Sequence, residues 1–128
     1  FCTPKMALQV FKELGDIPLI LAHMGGWRQW EEAEEILPQI PFRLDTSYCV
    51  GKIEPLDREH WEGASLDTMP RQQFLRFVKL AGAKRILFGT DSPWQDEKES
   101  KEAILRMPLT EEEKTAILGG NAAELLQL

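Results

Sequence analysis

The chain has 128 residues, 43% hydrophobic and 28% charged, with a net charge of -6, the profile of an ordinary globular domain or part of one. An acidic balance without a Lys/Arg cluster argues against a nucleic-acid role. No apolar run approaches the roughly 20 residues of a membrane span. No signal peptide is visible. Cys2 and Cys49 form no metal-ligand spacing. A disulfide between them stays open, but reduced thiols in a cytoplasmic protein are the simpler reading. The chain starts Phe1-Cys2-Thr3-Pro4 without an initiator Met, as expected of a processed or truncated piece.

Thr3 is placed to cap a first helix, and Pro4 suits its first turn. Ala7, Val10, Phe11 and Leu14 give that helix an apolar stripe, and Gly15 is its stop. A first strand is predicted over about 17–22. A second helix runs from about Trp27 to Leu37, with Trp27, Trp30, Ala33 and Leu37 on one face. Glutamates line the other face, and Pro38 and Pro41 end the helix. A second strand covers about 42–46. The stretch from Tyr48 to Met69, with Gly51, Pro55, Gly63 and the pair His60-Trp61, reads as a long connection, and such loops are commonly functional or mobile. Pro70 opens a helix with Phe74, Phe77, Val78 and Ala81 on its apolar side and Gly82 as its stop. A third strand follows at about 85–90, then a helix near Asp96 to Arg106. Thr110 with Glu113, and Asn121 with Glu124, read as capping boxes of two short helices. The order α-β-α-β-loop-α-β-α-α-α implies parallel strands joined by right-handed crossovers.

All three strands end in the same way. Ile17-Pro18-Leu19-Ile20-Leu21-Ala22 runs into His23-Met24-Gly25-Gly26-Trp27. Phe42-Arg43-Leu44 runs into Asp45-Thr46-Ser47. Arg85-Ile86-Leu87-Phe88-Gly89-Thr90 runs into Asp91-Ser92-Pro93-Trp94. A buried parallel strand that stops at a polar residue delivers it to the carboxyl edge of the sheet, where ligands of α/β folds bind. For His23 the plain alternative is a ring that only bonds a loop carbonyl; its pairing with Asp91 at an equivalent position favours function. Asp91 serves equally well as a cap or Asx turn before Pro93, or as a metal ligand or general base. Asp45 more often than not just holds neighbouring loops. Trp30 belongs to the core, whereas Trp27 and Trp94 follow the candidate groups and are placed to wall a pocket, with Ser47 beside them. His60 reads as solvated, and the glutamate pairs at 31–32 and 34–35 as a wet helix face.

Several chemistries are absent. There is no G-x-S-x-G nucleophile elbow, so the likeness of His23-Met24-Gly25-Gly26-Trp27 to an oxyanion loop has no nucleophile to serve. There is no Walker A motif, no G-x-G-x-x-G and no Cys pair suited to zinc.

Taken together, Leu21-Ala22-His23-Met24-Gly25-Gly26-Trp27, Leu44-Asp45-Thr46-Ser47, the stretch Arg85 to Trp94, and Gly120-Asn121-Ala122-Ala123-Glu124-Leu125-Leu126 resemble, in order, the motifs of the amidohydrolase superfamily. The nearest branch is that of aminocarboxymuconate-semialdehyde decarboxylase and related metal-dependent hydrolases. The resemblance covers nearly the whole chain. It implies a (β/α)8 TIM barrel of which these strands are the sixth, seventh and eighth, so that residues 1–128 form a single partial domain, the C-terminal portion. It implies that His23 binds a divalent metal, zinc being the expectation, or assists the water. It implies that Asp91 binds metal and takes the proton of that water. Substrates would be small organic acids, amides or lactones, and a decarboxylase is an alternative outcome.

The first-strand His-x-His pair and the fifth-strand histidine of the family are not in this sequence. Two ligands fall short of the four or more that a divalent metal takes. The isolated chain is therefore expected to be inactive and to hold zinc weakly. Three parallel strands cannot close a barrel and leave sheet edges bare. Ile20, Leu44 and Leu87 each stand to gain about 1.5–3 kcal/mol from cover. Self-association, complementation by the missing barrel portion, or a repacked sheet follows as an expectation. A reading of another class also stands: a non-catalytic α/β module that binds a partner through its exposed sheet edge.

Overall fold

Backbone hydrogen bonds join three short strands into one parallel sheet in the order β1-β2-β3: β1 (Ile20–Leu21), β2 (Arg43–Asp45) and β3 (Ile86–Leu87). Leu21 stands beside Leu44, Leu44 beside Ile86 and Asp45 beside Leu87, so all three carboxyl ends lie at one edge. The structure is a computed structural model that describes residues 3–15, 17–54 and 66–128. His60, Trp61 and Cys2, read above from sequence, lie outside the described residues.

The helices are α1 (Pro4–Leu14), α2 (Trp30–Ile36), α3 (Arg71–Ala81), α4 (Glu97–Leu105), α5 (Glu111–Thr115) and α6 (Asn121–Leu126). Thr3 caps α1 through Oγ1, which accepts from the Met6 amide. Gly15, at φ 75°, supplies the left-handed stop that a side chain would resist. Asp96 caps α4 and Thr110 caps α5, the latter in a full capping box with Glu113.

The strands are shorter than their apolar runs, for local reasons. Pro18 has no N–H to give a ladder, and β1 begins two residues later. On β3 the Phe88 amide turns away to the Ile117 carbonyl, and the Gly89 amide goes to the Thr46 hydroxyl. The second helix starts later than the expected Trp27. His23–Gly25 form a 3-10 turn, and Arg28 at φ 62° keeps the chain out of helix until Trp30. Its buried stripe is therefore Trp30, Ala33 and Ile36, followed by Leu37, and Trp27 stands outside it.

A second correction concerns Asn121. It caps nothing: Gly120 is already helical, and a π segment over Ala116–Gly120 runs into α6. The buried Asn121 amide instead donates to the carbonyls of Ala83 at 2.8 Å and Ile86 at 2.7 Å. It thereby ties the C-terminal helices to the start of β3.

Phe42, Leu44, Phe74, Phe77, Ile86, Ile104 and Ile117 are all at most 1% exposed and form the centre of the core. Phe11 of α1 meets Phe42 edge to face at 5.7 Å. Leu44 and Leu87 find their cover within the chain, whereas Ile20 stays 45% exposed. At the amino edge of the sheet the Arg85 guanidinium donates to the carbonyls of Ile40 and Phe42, and burial pulls its pKa down. No helix among the described residues is long and apolar enough to cross a membrane.

Candidate active site at the carboxyl edge of the sheet

The backbone leaves β1 through two consecutive left-handed residues, His23 at φ 56° and Met24 at φ 54°. Side chains resist that conformation, so it persists only where neighbours over-determine it. Here they do. The His23 amide donates to Asp45 Oδ1 at 3.0 Å, and the His23 carbonyl accepts from the Trp30 indole at 3.1 Å. Gly25 follows at φ 92°, where an added Cβ would come within 3.2 Å of the Ala33 methyl, so glycine is required there for both conformation and space.

The His23 ring is held as well. Its Nδ1 lies 3.1 Å from the Ser47 carbonyl oxygen. A carbonyl only accepts, so Nδ1 carries the proton and the lone pair of the neutral ring sits on Nε2. The plain alternative for this histidine, a bond to a loop carbonyl, is made by Nδ1, and it leaves Nε2 available for a second role.

Asp91 is exposed and stands at φ 55° just beyond β3. It caps no helix, since α4 is capped by Asp96. Its own carbonyl accepts from the Trp94 amide at 3.1 Å, which closes the turn through Ser92-Pro93, where the peptide bond is cis. The carboxylate of Asp91 is near enough to the Tyr48 phenol to act on it: burial first, and the Asp91 charge second, push that phenol above its ordinary pKa.

Tyr48 was not legible as a site residue. It packs edge to face on the His23 ring at 5.2 Å and lies 5.4 Å from the Trp27 ring. Its backbone, at φ 58°, is pinned by the Gln95 side chain, which accepts from the Tyr48 amide at 2.7 Å and donates to the Val50 carbonyl at 2.6 Å. Nothing in the sequence marks Gln95, which is fully buried. Trp27 packs against Tyr48, with the Arg28 guanidinium 5.9 Å from its ring centre. Trp94 is half-buried, and its carbonyl accepts from the Glu54 amide at 2.8 Å.

Ser47, expected beside a pocket, and Asp45, expected to hold neighbouring loops, are bonded to each other. Ser47 is 5% exposed, and its hydroxyl and amide both donate to Asp45 Oδ1. Asp45 therefore holds neighbouring loops, and its Oδ1 is fully engaged. Cys49 is a free, buried thiol whose pKa is driven well up, by burial foremost and then by the Asp45 charge.

As metal donors, an imidazole nitrogen and a carboxylate suit a divalent cation of borderline hardness. Among the described residues no three His, Cys, Asp or Glu side chains gather as a candidate metal cluster. His23 and Asp91 carry donors of those two types.

Several solved structures have a similar shape. A dihydroxybenzoic acid decarboxylase from a Polaromonas species, solved with manganese and the inhibitor 2-nitroresorcinol, aligns with 98% of this chain at 20% identity and a TM-score of 0.63. An amidohydrolase from Burkholderia multivorans with bound zinc aligns with 98% of the chain at 20% identity and a TM-score of 0.68. A TIM-barrel protein from Bordetella bronchiseptica aligns with 97% at 23% identity and a TM-score of 0.68. At such identities the likeness speaks for the fold. The chain spans 40%, 49% and 39% of those three proteins. No curated protein sequence gives a significant match. The model of the amidohydrolase family, however, matches residues 3–128, almost the entire sequence, and by that match the chain belongs to the amidohydrolase family.

Proposed function

We propose that this chain carries part of the active site of a metal-dependent hydrolase that acts on a small organic acid, amide or lactone. The observation behind this reading is the clamped His23, with backbone N–H, carbonyl and Nδ1 all engaged and Nε2 left over. It stands at the same sheet edge as Asp91. A divalent metal, zinc in this reading, supplies Lewis acidity and makes water acidic enough to lose a proton near neutral pH. Asp91 would serve as a proton acceptor in the site, and His23 Nε2 would help to hold the metal or to orient the attacked atom. Trp27, Tyr48 and Trp94 are our candidates for the walls that exclude bulk water.

The three strands correspond in this proposal to the sixth, seventh and eighth of a barrel, with the remaining ligands contributed by other parts of it. The fold relatives include decarboxylases, so product identity decides between hydrolysis and loss of CO2. The test is metal analysis and turnover of the complete reading frame containing this chain, alongside Asp91→Asn. Bound divalent metal and activity that collapses in the variant are expected. Full metal occupancy with unchanged activity in Asp91→Asn would remove Asp91 from the mechanism. The 128-residue chain alone is expected to show no turnover and only weak zinc binding by calorimetry. One-to-one binding at micromolar or tighter, lost in His23→Ala, would overturn that part.

A further inference from the structure

Three donors converge on a single oxygen at the end of β2. Asp45 Oδ1 accepts from the amides of His23 and Ser47, each at 3.0 Å, and from the Ser47 hydroxyl. The same Ser47 offers its carbonyl to His23 Nδ1 at 3.1 Å. Three of these four bonds close a loop, carboxylate to Ser47 amide, Ser47 carbonyl to imidazole, and His23 amide back to the carboxylate, and the Ser47 hydroxyl adds a second link to the same oxygen. We infer that Asp45 is the positioning residue of this site, which selects the Nδ1–H tautomer of His23 and fixes the direction of Nε2 without touching the reacting groups.

The physical case has three parts. First, His23 sits in a left-handed conformation that is intrinsically unfavourable for a residue with a Cβ. Its amide therefore needs a strong acceptor, and a carboxylate oxygen is a stronger one than a neutral carbonyl. Second, a Ser47 carbonyl free to rotate would not hold a proton on Nδ1. Its peptide carries the Tyr48 amide, which Gln95 holds, and the Ser47 residue on its other side is fixed because the Ser47 amide and hydroxyl are both captured by the same Asp45 oxygen. Third, Asp45 is poorly suited to chemistry of its own, since the oxygen that faces His23 already has three donors. Outer partners of this kind orient a histidine that acts through its other nitrogen. The importance of the orientation for catalysis rests on the function proposed above; the tautomer itself does not.

The experiment reads the tautomer directly. The chain has two histidines, so a His60→Gln background leaves His23 alone. Long-range proton–nitrogen correlation spectra of the 15N-labelled, metal-free chain then report which nitrogen of the neutral ring carries hydrogen. The Nδ1–H form is expected in this background. Asp45→Ala is expected to shift the ring to the Nε2–H form that imidazole side chains favour in water. Asp45→Asn, whose amide oxygen still accepts both N–H groups, is expected to restore Nδ1–H. Retention of Nδ1–H in Asp45→Ala overturns the inference, and so does an Nε2–H ring in the starting protein. If Asp45→Ala fails to fold, Asp45→Glu carries the same test. It keeps the charge but moves the oxygen one bond beyond both amides, and unchanged Nδ1–H there overturns the inference equally. No metal or turnover enters the measurement. A failed tautomer result leaves the metal-dependent function standing, and a failed metal analysis leaves the tautomer result standing.

Discussion

Thr46 offers the sharpest test of how the carboxyl edge is held. Its hydroxyl donates to the Gly89 carbonyl at 2.9 Å and accepts from the Gly89 amide at 3.0 Å, and the side chain is completely buried. Thr46→Val keeps the shape and removes both bonds, leaving one donor and one acceptor of Gly89 without a partner. Each unsatisfied buried group costs about 1–3 kcal/mol. Gly89 is itself only half-buried, so water recovers part of the loss and the lower end applies, about 2 kcal/mol in all. With a urea m-value of about 2 kcal/mol per molar, ordinary for a small protein, the midpoint falls by about 1 M. Thr46→Ser keeps the hydroxyl and loses one buried methyl, for about 1 kcal/mol. Equilibrium urea unfolding followed by tryptophan fluorescence and by far-ultraviolet circular dichroism measures both. A Val variant within 0.5 kcal/mol of the parent, or a Ser variant as damaged as the Val one, would refute the account of Thr46 as a two-bond clamp between β2 and β3.

Other outcomes follow from the same geometry. Asn121→Ala is expected to cost about 2 kcal/mol by orphaning two carbonyls, and Asn121→Asp more, because it sets a carboxylate against them; an Asp variant as stable as the parent would restore the capping role read from sequence. Alkaline pH is expected to destabilise the fold. The Tyr48 phenol and Cys49 thiol are both raised in the folded state above ordinary values of 10.0 and 9.0, so above those values the unfolded chain holds fewer protons than the native one. Stability present below about pH 9 is then lost as pH rises toward the folded pKa values; Tyr48→Phe should remove part of the decline, and a flat urea midpoint from pH 8 to 11 would contradict it. Removing the Glu34–Arg76 ion pair, with side chains 22% and 54% exposed, should cost well under about 1 kcal/mol after solvent screening, as a thermal melt of Arg76→Ala will show. Sedimentation is expected to show self-association driven by exposed Ile20 and Leu14, and a concentration-independent monomer would speak against it.

The helices were readable because their signals are local. Thr3-Pro4 and Gly15 bracket α1, and Thr110 with Glu113 forms the capping box expected of it. The strands read too long because apolarity does not reveal where each amide finds its acceptor, and at Phe88 that acceptor is Ile117, about thirty positions onward. Asn121 misled for a related reason. Asn-x-x-Glu fits a cap, but whether the asparagine caps or turns inward depends on the backbone of Gly119 and Gly120, and glycine permits either. At the site, the placement of His23 and Asp91 at strand ends was legible from runs that stop abruptly at a polar residue. Tyr48 was not, because its meeting with His23 depends on Gln95, a long-range partner that no periodicity announces.

The middle strand explains why consequences in this site will be hard to assign by activity alone. Neither candidate chemical group belongs to β2, yet Asp45 reaches toward β1 to hold His23, and Thr46 reaches toward β3 to hold the segment leading to Asp91. A substitution at either position therefore moves a group it does not contain. Placing a side chain about 1 Å off its working geometry can cost as much as 100-fold in rate, so an Asp45 variant is expected to resemble loss of a catalytic carboxylate in any turnover assay. The two roles separate only where charge and geometry are varied independently. Asp45→Asn removes the charge and keeps the acceptor, whereas Asp45→Glu keeps the charge and displaces it. A residue that acts through its charge tolerates the second better; a residue that acts by holding His23 in place tolerates the first, and the convergence of three donors on one oxygen of Asp45 assigns it to the latter kind.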